Sequence, residues 1–379
     1  MFNCLPGDLT CCGLDLLLDL IHIYSLEDSR YSIHSLWRHD MANKENRQKF
    51  EPFDLLRLNM SFMPSRVLTA GVQLGVFSQI AGGIRRAKAI AEKVQATERG
   101  TRMVLDALVA MELLRKIGGE YHLTDPASRY LVRESADYIG GVLSDNHLWE
   151  SWGCLTDIVR TGKPHYRVER QNQAEDFFPV LIKALHVANR QPARRAAQIL
   201  CKGARDREME ALDVACGSGV WGIAVAQSKS TARVTAQDYP GILEITRQYA
   251  RQHGVESRFN FLPGNLKEVK FDNARYDLAI LGNIVHSEGE VAARSLFRRL
   301  SATLKPGGRM VIIDMVPNNQ RTGPAFPIFF AINMLVNTSH GDTFTRAEYT
   351  AWLKQAGFKK VVTAEIGLHS PMLIATKPA

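Results

Sequence analysis

From about residue 51 to about residue 200, apolar residues recur at spacings of three and four. PSRVLTAGVQLGVFSQIAG (64–82) and GTRMVLDALVAMELLRKIG (100–118) show it best, and a glycine closes each run. That period gathers the apolar side chains on one face of a helix, and a glycine just past the last periodic residue is a stop signal. In IGGEYHLTDPASRYLV (117–132) the period shifts. Gly118-Gly119 make a turn and EYHLT alternates like a strand, so a short hairpin is expected. Helices followed by a two-stranded wing predict a winged-helix unit. Such units serve DNA binding or dimerisation, and TRMVLDALVAMELLRKI is too apolar to lie open in a major groove, so dimerisation is the expected role.

Beyond about residue 205 the pattern becomes strand, helix, strand. EALDVA, ARVTAQD, RFNFLPG, YDLAILG and RMVIIDMV are short apolar runs, separated by helical stretches such as GILEITRQYARQHG and EVAARSLFRRLSATL. Alternation of this kind predicts an α/β domain with a mainly parallel sheet covered on both faces. KKVVTAEIG and PMLIATK read as an antiparallel hairpin that finishes the sheet. The pattern therefore divides the chain into a helical domain, 41–200, and an α/β domain, 201–379.

The first forty residues differ from the rest. They carry a formal charge of −4 and the remainder +12, for a net +8. After them come Met41 and a polar run, MANKENRQKF, that looks like a cytoplasmic N-terminus, so residues 1–40 are expected to be a poorly ordered extension. CCGLDLLLDLIHIY is broken by Asp15 and Asp19 and follows no basic stretch, which argues against a signal peptide and for a cytoplasmic protein. No apolar run is long enough to span a membrane. The six cysteines form no CxxC pair and no disulfide framework. The positive charge is scattered in pairs such as Arg85-Arg86 and Arg298-Arg299, without a block, so a solvated surface is expected and nucleic acid is not an expected partner. With 379 residues, 45% of them hydrophobic, the chain can bury two or three domain cores.

DVACGSGVWG (213–222) carries the clearest chemistry. Gly217-x-Gly219-x-x-Gly222 follows a predicted strand, and Asp238 stands at the end of the next one. Glycines there let a nucleotide approach the backbone, and an acid at the second strand end accepts from both ribose hydroxyls. The spacing fits NAD and S-adenosylmethionine equally. Three features favour the methyl donor. Asp213 lies just before the glycines, where it suits the amino group of an amino-acid moiety. Pro306-Gly307-Gly308 reads as a turn within LKPGGRMVIID. The loop also lies behind a helical domain instead of near the start of the chain.

With AGVQLGVFSQIA, LDALVAMELLRKIGGEYHLTDPASRYLV, HLWESWGCL, GNIVHSEGE, LKPGGRMVIIDMVPN and FTRAEYTAWLKQAGF in this order, residues 55 to 378 resemble the two-domain class I S-adenosylmethionine-dependent O-methyltransferases. This group includes plant caffeic-acid-type, acetylserotonin-type and bacterial natural-product enzymes. The resemblance implies a Rossmann-like catalytic sheet, a winged-helix dimerisation domain, a homodimer, a hydroxylated aromatic acceptor and no metal. It places Asp213, Gly217, Gly219, Asp238, Asn265 and Asn283 around the cofactor. Asn265 is a departure, since the family commonly has Asp there, but its amide oxygen can still face an adenine amino group.

His286, in NIVHSEGE, matches the family's catalytic histidine, and Asp314 its supporting acid. A satisfied loop histidine and a plain structural acid are the alternatives for these two. A second acid of the plant enzymes would fall at Asp342 or Thr343, and neither clearly matches. His186 and His340 are expected at the surface or as lining. Trp149, Trp152, Phe330, Met334 and Asn333 are candidates for gripping a flat acceptor, or else plain core. Two other readings remain open: C-methylation of a tetrapyrrole or polyketide, and a regulator that kept the cofactor fold without the chemistry.

Overall fold

The computed structural model describes residues 51–165, 171–202 and 207–379, together with the side chains of those residues except 171–177. The expected extension, residues 1–40, lies outside the described residues. The chain forms two compact units that part between Ala70 and Gly71. In the first, helix α1 (Pro52–Asn59) opens with Asp54 Oδ2 accepting from the Glu51 N–H, and Phe53, Leu55, Leu56 and Leu58 are exposed. Helix α2 (Phe62–Leu74) begins in this unit.

The second unit continues with α3 (Val76–Ala81), α4 (Ala87–Lys93) and α5 (Glu98–Ala110), then a hairpin of β1 (Leu114–Ile117) and β2 (Glu120–Leu123). The hairpin pairs Leu114 with Leu123 and Ile117 with Glu120 around Gly118-Gly119, both at positive φ. Its first strand is a correction, because LRKI was read as the end of a helix. Glu112, at φ +59°, ends α5 early, and only Leu114 of the four strand residues is buried, so nothing holds that stretch helical. The DPASRY stretch, read as part of the hairpin, is instead helix α6 (Asp125–Tyr130). Helices α7 (Gly140–Leu143), α8 (His147–Gly153), α9 (Leu155–Thr161) and the long α10 (Gln171–Leu200) lead to the sheet.

The sheet elements, in chain order, are β3 (Met209–Val214), α11 (Val220–Ser228), β4 (Ala232–Asp238), α12 (Pro240–Gln252), β5 (Phe259–Pro263), β6 (Tyr276–Gly282), α13 (Val285–Thr303), β7 (Leu304–Ile313), α14 (Ala325–Asn337), α15 (Arg346–Gln355), β8 (Lys360–Ala364) and β9 (Met372–Thr376). In space the strands run β5-β4-β3-β6-β7-β9-β8. The first five are parallel, and β9 lies antiparallel to both β7 and β8. The expected turn at Pro306-Gly307-Gly308 interrupts the β6–β7 ladder, whose register jumps between Tyr276 and Leu278.

Period-2 alternation builds two cores. Ala211, Leu278, Ile280, Val311 and Ile313 face one side, where α10, α11 and α12 cover them. Leu212, Val214, Ala279, Leu281, Met310 and Ile312 face the other, against α13 and α15. Strand order reverses between β3 and β6, and in such sheets the crevice beyond the carboxyl ends at that point is where ligands bind. Among the described residues, no helix is long and apolar enough to cross a membrane.

Helix α11 lies close to β3 and β4 because residue 222 has no side chain. A Cβ there would stand 2.8 Å from Val234 Cγ1 and 2.9 Å from Asp213 Oδ2. Gly222→Ala is expected to lower stability by about 1–3 kcal/mol through overpacking, read from the denaturant midpoint. An unchanged midpoint would mean that the helix can move outward at no cost.

Candidate active site

The loop that leaves β3 turns sharply. Ala215, Gly217 and Gly219 have φ of +49°, +55° and +71°, and at Gly219 a Cβ would meet Thr246 Cγ2 at 2.7 Å. Thr246, on α12, ties the turn down by donating its hydroxyl to the Gly217 carbonyl at 2.6 Å. At the end of β4, Asp238 accepts from the Gly217 N–H at 2.9 Å through Oδ2 and from the Tyr239 N–H at 2.8 Å through Oδ1. The last residue pair of β3 points Asp213 under the turn. It is fully buried, and its Oδ2 accepts from the Gly222 N–H at 2.9 Å. That N–H belongs to the first turn of α11 and has no partner within the helix, so the carboxylate caps the helix from below. Oδ1 of Asp213 is buried without a partner. Loss of hydration pushes Asp213 up to about 7 and Asp238 up to about 6.

A second cluster forms where β6 and β7 end. Asn283 takes a left-handed φ of +59°, which asparagine tolerates better than most residues, and its N–H extends the ladder to the Ile313 carbonyl at 2.8 Å. The chain then enters one turn of α13 carrying His286, and Gly289 at φ +75° breaks that turn from the rest of the helix. A Cβ at Gly289 would stand 2.5 Å from the His340 carbonyl oxygen. His286 is buried, and its Nδ1 lies 2.6 Å from Asp314 Oδ1, while its backbone N–H donates to Asp314 Oδ2 at 3.0 Å. An ionised Asp314 fixes the tautomer with Nδ1 protonated and leaves Nε2 as an acceptor. Among the described residues, Nε2 has no hydrogen-bond partner. The Phe330 ring meets the imidazole edge-on at 5.0 Å.

Residues 56–133 match the O-methyltransferase dimerisation domain and residues 200–359 the O-methyltransferase domain. Acetylserotonin O-methyltransferase of Mus musculus is 30% identical over 81% of this chain and 84% of its own. The tetracenomycin polyketide synthesis 8-O-methyl transferase of Streptomyces glaucescens is 28% identical over 86% of this chain and 97% of its own. Human N-acetylserotonin methyltransferase, solved in complex with S-adenosylmethionine, superposes with a TM-score of 0.75 at 25% identity, covering 88% of this chain and 100% of that one. The chain belongs to the O-methyltransferase family.

This O-methyltransferase takes its methyl group from S-adenosylmethionine. Its residues fit that donor. Asp238 spends one lone pair of each oxygen on the backbone, which leaves two acceptor sites for a ribose diol. The partnerless Asp213 Oδ1 is an acceptor under the turn. Asp213 was expected to meet an amino group directly, but complete burial and the bond to Gly222 make it first a support of the turn. Asn265 Oδ1, expected to face an adenine, accepts from the Lys267 N–H at 2.9 Å and keeps one lone pair.

Of the acceptor candidates in the O-methyltransferase, Phe330 is brought to His286. Trp152 Nε1 donates to Asn333 Oδ1 at 3.1 Å, joining α8 to α14. Asn337 Nδ2 donates to the same oxygen at 3.1 Å. Met334 is buried on the same helix, and Trp149 is 46% exposed. Neither candidate for the plant enzymes' second acid reaches the imidazole. Asp342 faces Arg321 at 3.7 Å, and Thr343 donates to the Pro327 carbonyl.

Two features were missed. His186 is not a surface or lining residue but is 3% exposed, because Ile182, His186, Asn189 and Ala193 share the buried face of α10. Its Nδ1 bonds Ser218 Oγ of the glycine turn at 3.0 Å, its Nε2 meets His253 Nε2 at 3.3 Å, and it stacks on Tyr249 at 3.7 Å. Burial lowers it to about 3, so it is neutral at physiological pH. The helical period could have revealed it. The other is Tyr349, whose hydroxyl donates to Asp314 Oδ2 at 3.1 Å.

Asp213 and Asp238 both sit above the ordinary carboxylate value, so their contribution to stability is present below about pH 4 and is lost as pH rises through about 6 to 7. Asp213→Asn keeps an acceptor for the Gly222 N–H and removes the charge. It should raise the melting temperature of the ligand-free protein at about pH 8, with the gain shrinking toward about pH 5. An equal gain at both would rule out the buried charge as its source.

Proposed function

We propose that this enzyme methylates a hydroxyl of a flat aromatic small molecule, with His286 as general base and Asp314 as the group that orients it. The observation that carries this reading is the 2.6 Å contact between His286 Nδ1 and Asp314 Oδ1, which leaves Nε2 open to receive a proton. A free phenol has a pKa of about 10 and is mostly protonated near neutral pH. His286 Nε2 accepts the hydroxyl proton as the oxygen becomes nucleophilic, and the buried Asp314 carboxylate stabilises the imidazolium that forms. Bound S-adenosylmethionine supplies an electrophilic methyl group. Phe330, Met334 and the Trp152–Asn333 pair provide apolar faces and a polar edge that suit an aromatic acceptor. Holding donor and acceptor in line is worth up to about 7–11 kcal/mol for ideal positioning.

The relatives' names support the same substrate class: one is an acetylserotonin O-methyltransferase, one an 8-O-methyl transferase of tetracenomycin polyketide synthesis, and one, from Streptomyces sahachiroi, a 3-hydroxy-5-methyl-1-naphthoate 3-O-methyltransferase. The dimerisation match and the exposed apolar face of α1 support a homodimer. We assign residues 41–200 to the helical dimerisation domain and 201–379 to the catalytic one.

Calorimetric titration with S-adenosylhomocysteine should give micromolar binding that Asp238→Ala abolishes. With N-acetylserotonin and a hydroxynaphthoate as trial acceptors, His286→Ala should lower kcat by about 10²–10⁴-fold and leave S-adenosylhomocysteine affinity unchanged. A full rate in His286→Ala would remove the base, and a carbon-bound methyl in the product's NMR spectrum would overturn the hydroxyl assignment.

A further inference from the structure

Asp314 accepts four hydrogen bonds, two on each oxygen. Oδ1 takes His286 Nδ1–H at 2.6 Å and the Met315 N–H at 2.8 Å, and Oδ2 takes the His286 N–H at 3.0 Å and the Tyr349 hydroxyl at 3.1 Å. That fills the lone-pair sites of a carboxylate. Three of the donors belong to His286 itself or to the residue after Asp314. The fourth comes from α15, thirty-five residues further along the chain.

The direction of the phenol is set by packing. Tyr349 is fully buried, between Phe297 at 6.3 Å, Phe344 at 5.9 Å and Trp352 at 5.9 Å between ring centres. Just before it, Thr345 and Glu348 cap α15 reciprocally, at 3.2 Å and 2.7 Å, which fixes the start of the helix. The neighbouring carboxylates are Asp314, Glu348 and Asp342, and Arg321 pairs with the last two. Burial, then these carboxylates, push the phenol well above 10, so it remains a neutral donor over the working range.

We propose that Tyr349 is a positioning residue for methyl transfer, the third member of a His286–Asp314–Tyr349 chain, whose hydroxyl holds Asp314 in line with the imidazole. Tyr349 adds a second donor on Oδ2 beside the His286 N–H, so that each oxygen of the carboxylate is held from two sides. Its charge is also shared with the phenol, which keeps the proton on the imidazole side of the short contact. The slot that the plant enzymes were expected to fill with a second acid on the imidazole is occupied by other bonds, and here the third group acts on the acid instead.

The proposal rests on His286 as base, and its test reads the imidazole without turnover. In the enzyme bound to S-adenosylhomocysteine, the His286 ring is followed by NMR titration and assigned with His286→Ala. Tyr349→Phe keeps the ring and its packing but removes the donor. The less satisfied carboxylate should hold the imidazolium more tightly, raising the His286 titration by about one pH unit, a tenfold change in proton affinity. 3-Fluorotyrosine at position 349, a stronger donor, should move the titration downward, and it carries the test alone if Tyr349→Phe does not fold. S-adenosylhomocysteine affinity should stay at the wild-type value in both. A titration unmoved by either change, or moved in the same direction by both, would make Tyr349 a core ring only. A full methylation rate in His286→Ala would refute the base while leaving the titration result standing, so the two failures are distinguishable.

Discussion

A carboxylate taken out of water must be met by donors on every side, and Asp314 meets that demand with groups from three parts of the chain. The end of β7 supplies the acid and one backbone N–H, the single turn at the start of α13 supplies a ring and a backbone N–H, and α15 supplies a phenol. All three segments pack into the same core on that face of the sheet, with Ile312 from β7, Val285 from α13 and Leu353 from α15, and this shared core brings the acid, the ring and the phenol into register. The direction of the His286 ring follows from that register.

The other two strand-end acids show the opposite balance. Asp213 and Asp238 each accept fewer bonds than they have lone pairs, and loss of hydration raises both. Asp213, wholly buried, spends its one bond on supporting the glycine turn, while Asp238 keeps acceptor sites unfilled at the strand end, and the ligand-free protein carries the cost of both. At the end of β7 no ligand is awaited by the acid itself, and its shell is closed by protein.

The sheet was legible because all seven of its strands alternate or run apolar between turn residues, and both faces of the layered domain follow from period 2. The Leu114–Ile117 strand was not, because LRKI is a short stretch whose single buried leucine fits either period, and only pairing with Glu120–Leu123 decides it. The glycine turn and the meeting of His286 with Asp314 were readable from motif order. Tyr349 was not, since a tyrosine in an amphipathic helix looks like any core aromatic until its hydroxyl is seen to have a destination. His186 was misjudged because a histidine scores as polar, although its place in the helical period of α10 is an inward one.

The break at Gly289 isolates the histidine mechanically. Because φ +75° interrupts the hydrogen-bonded column, the turn bearing His286 does not share the axis of the long segment that follows, where Val291 is 85% exposed and Arg294 reaches Glu290 and Gln355 on the outer surface. That segment is itself held in the core by Ala293, Leu296, Phe297 and Leu300, so the break at Gly289 lets the short turn take a direction of its own. The surface of α13 is thereby free to diverge in sequence while the imbedded ring keeps its aim.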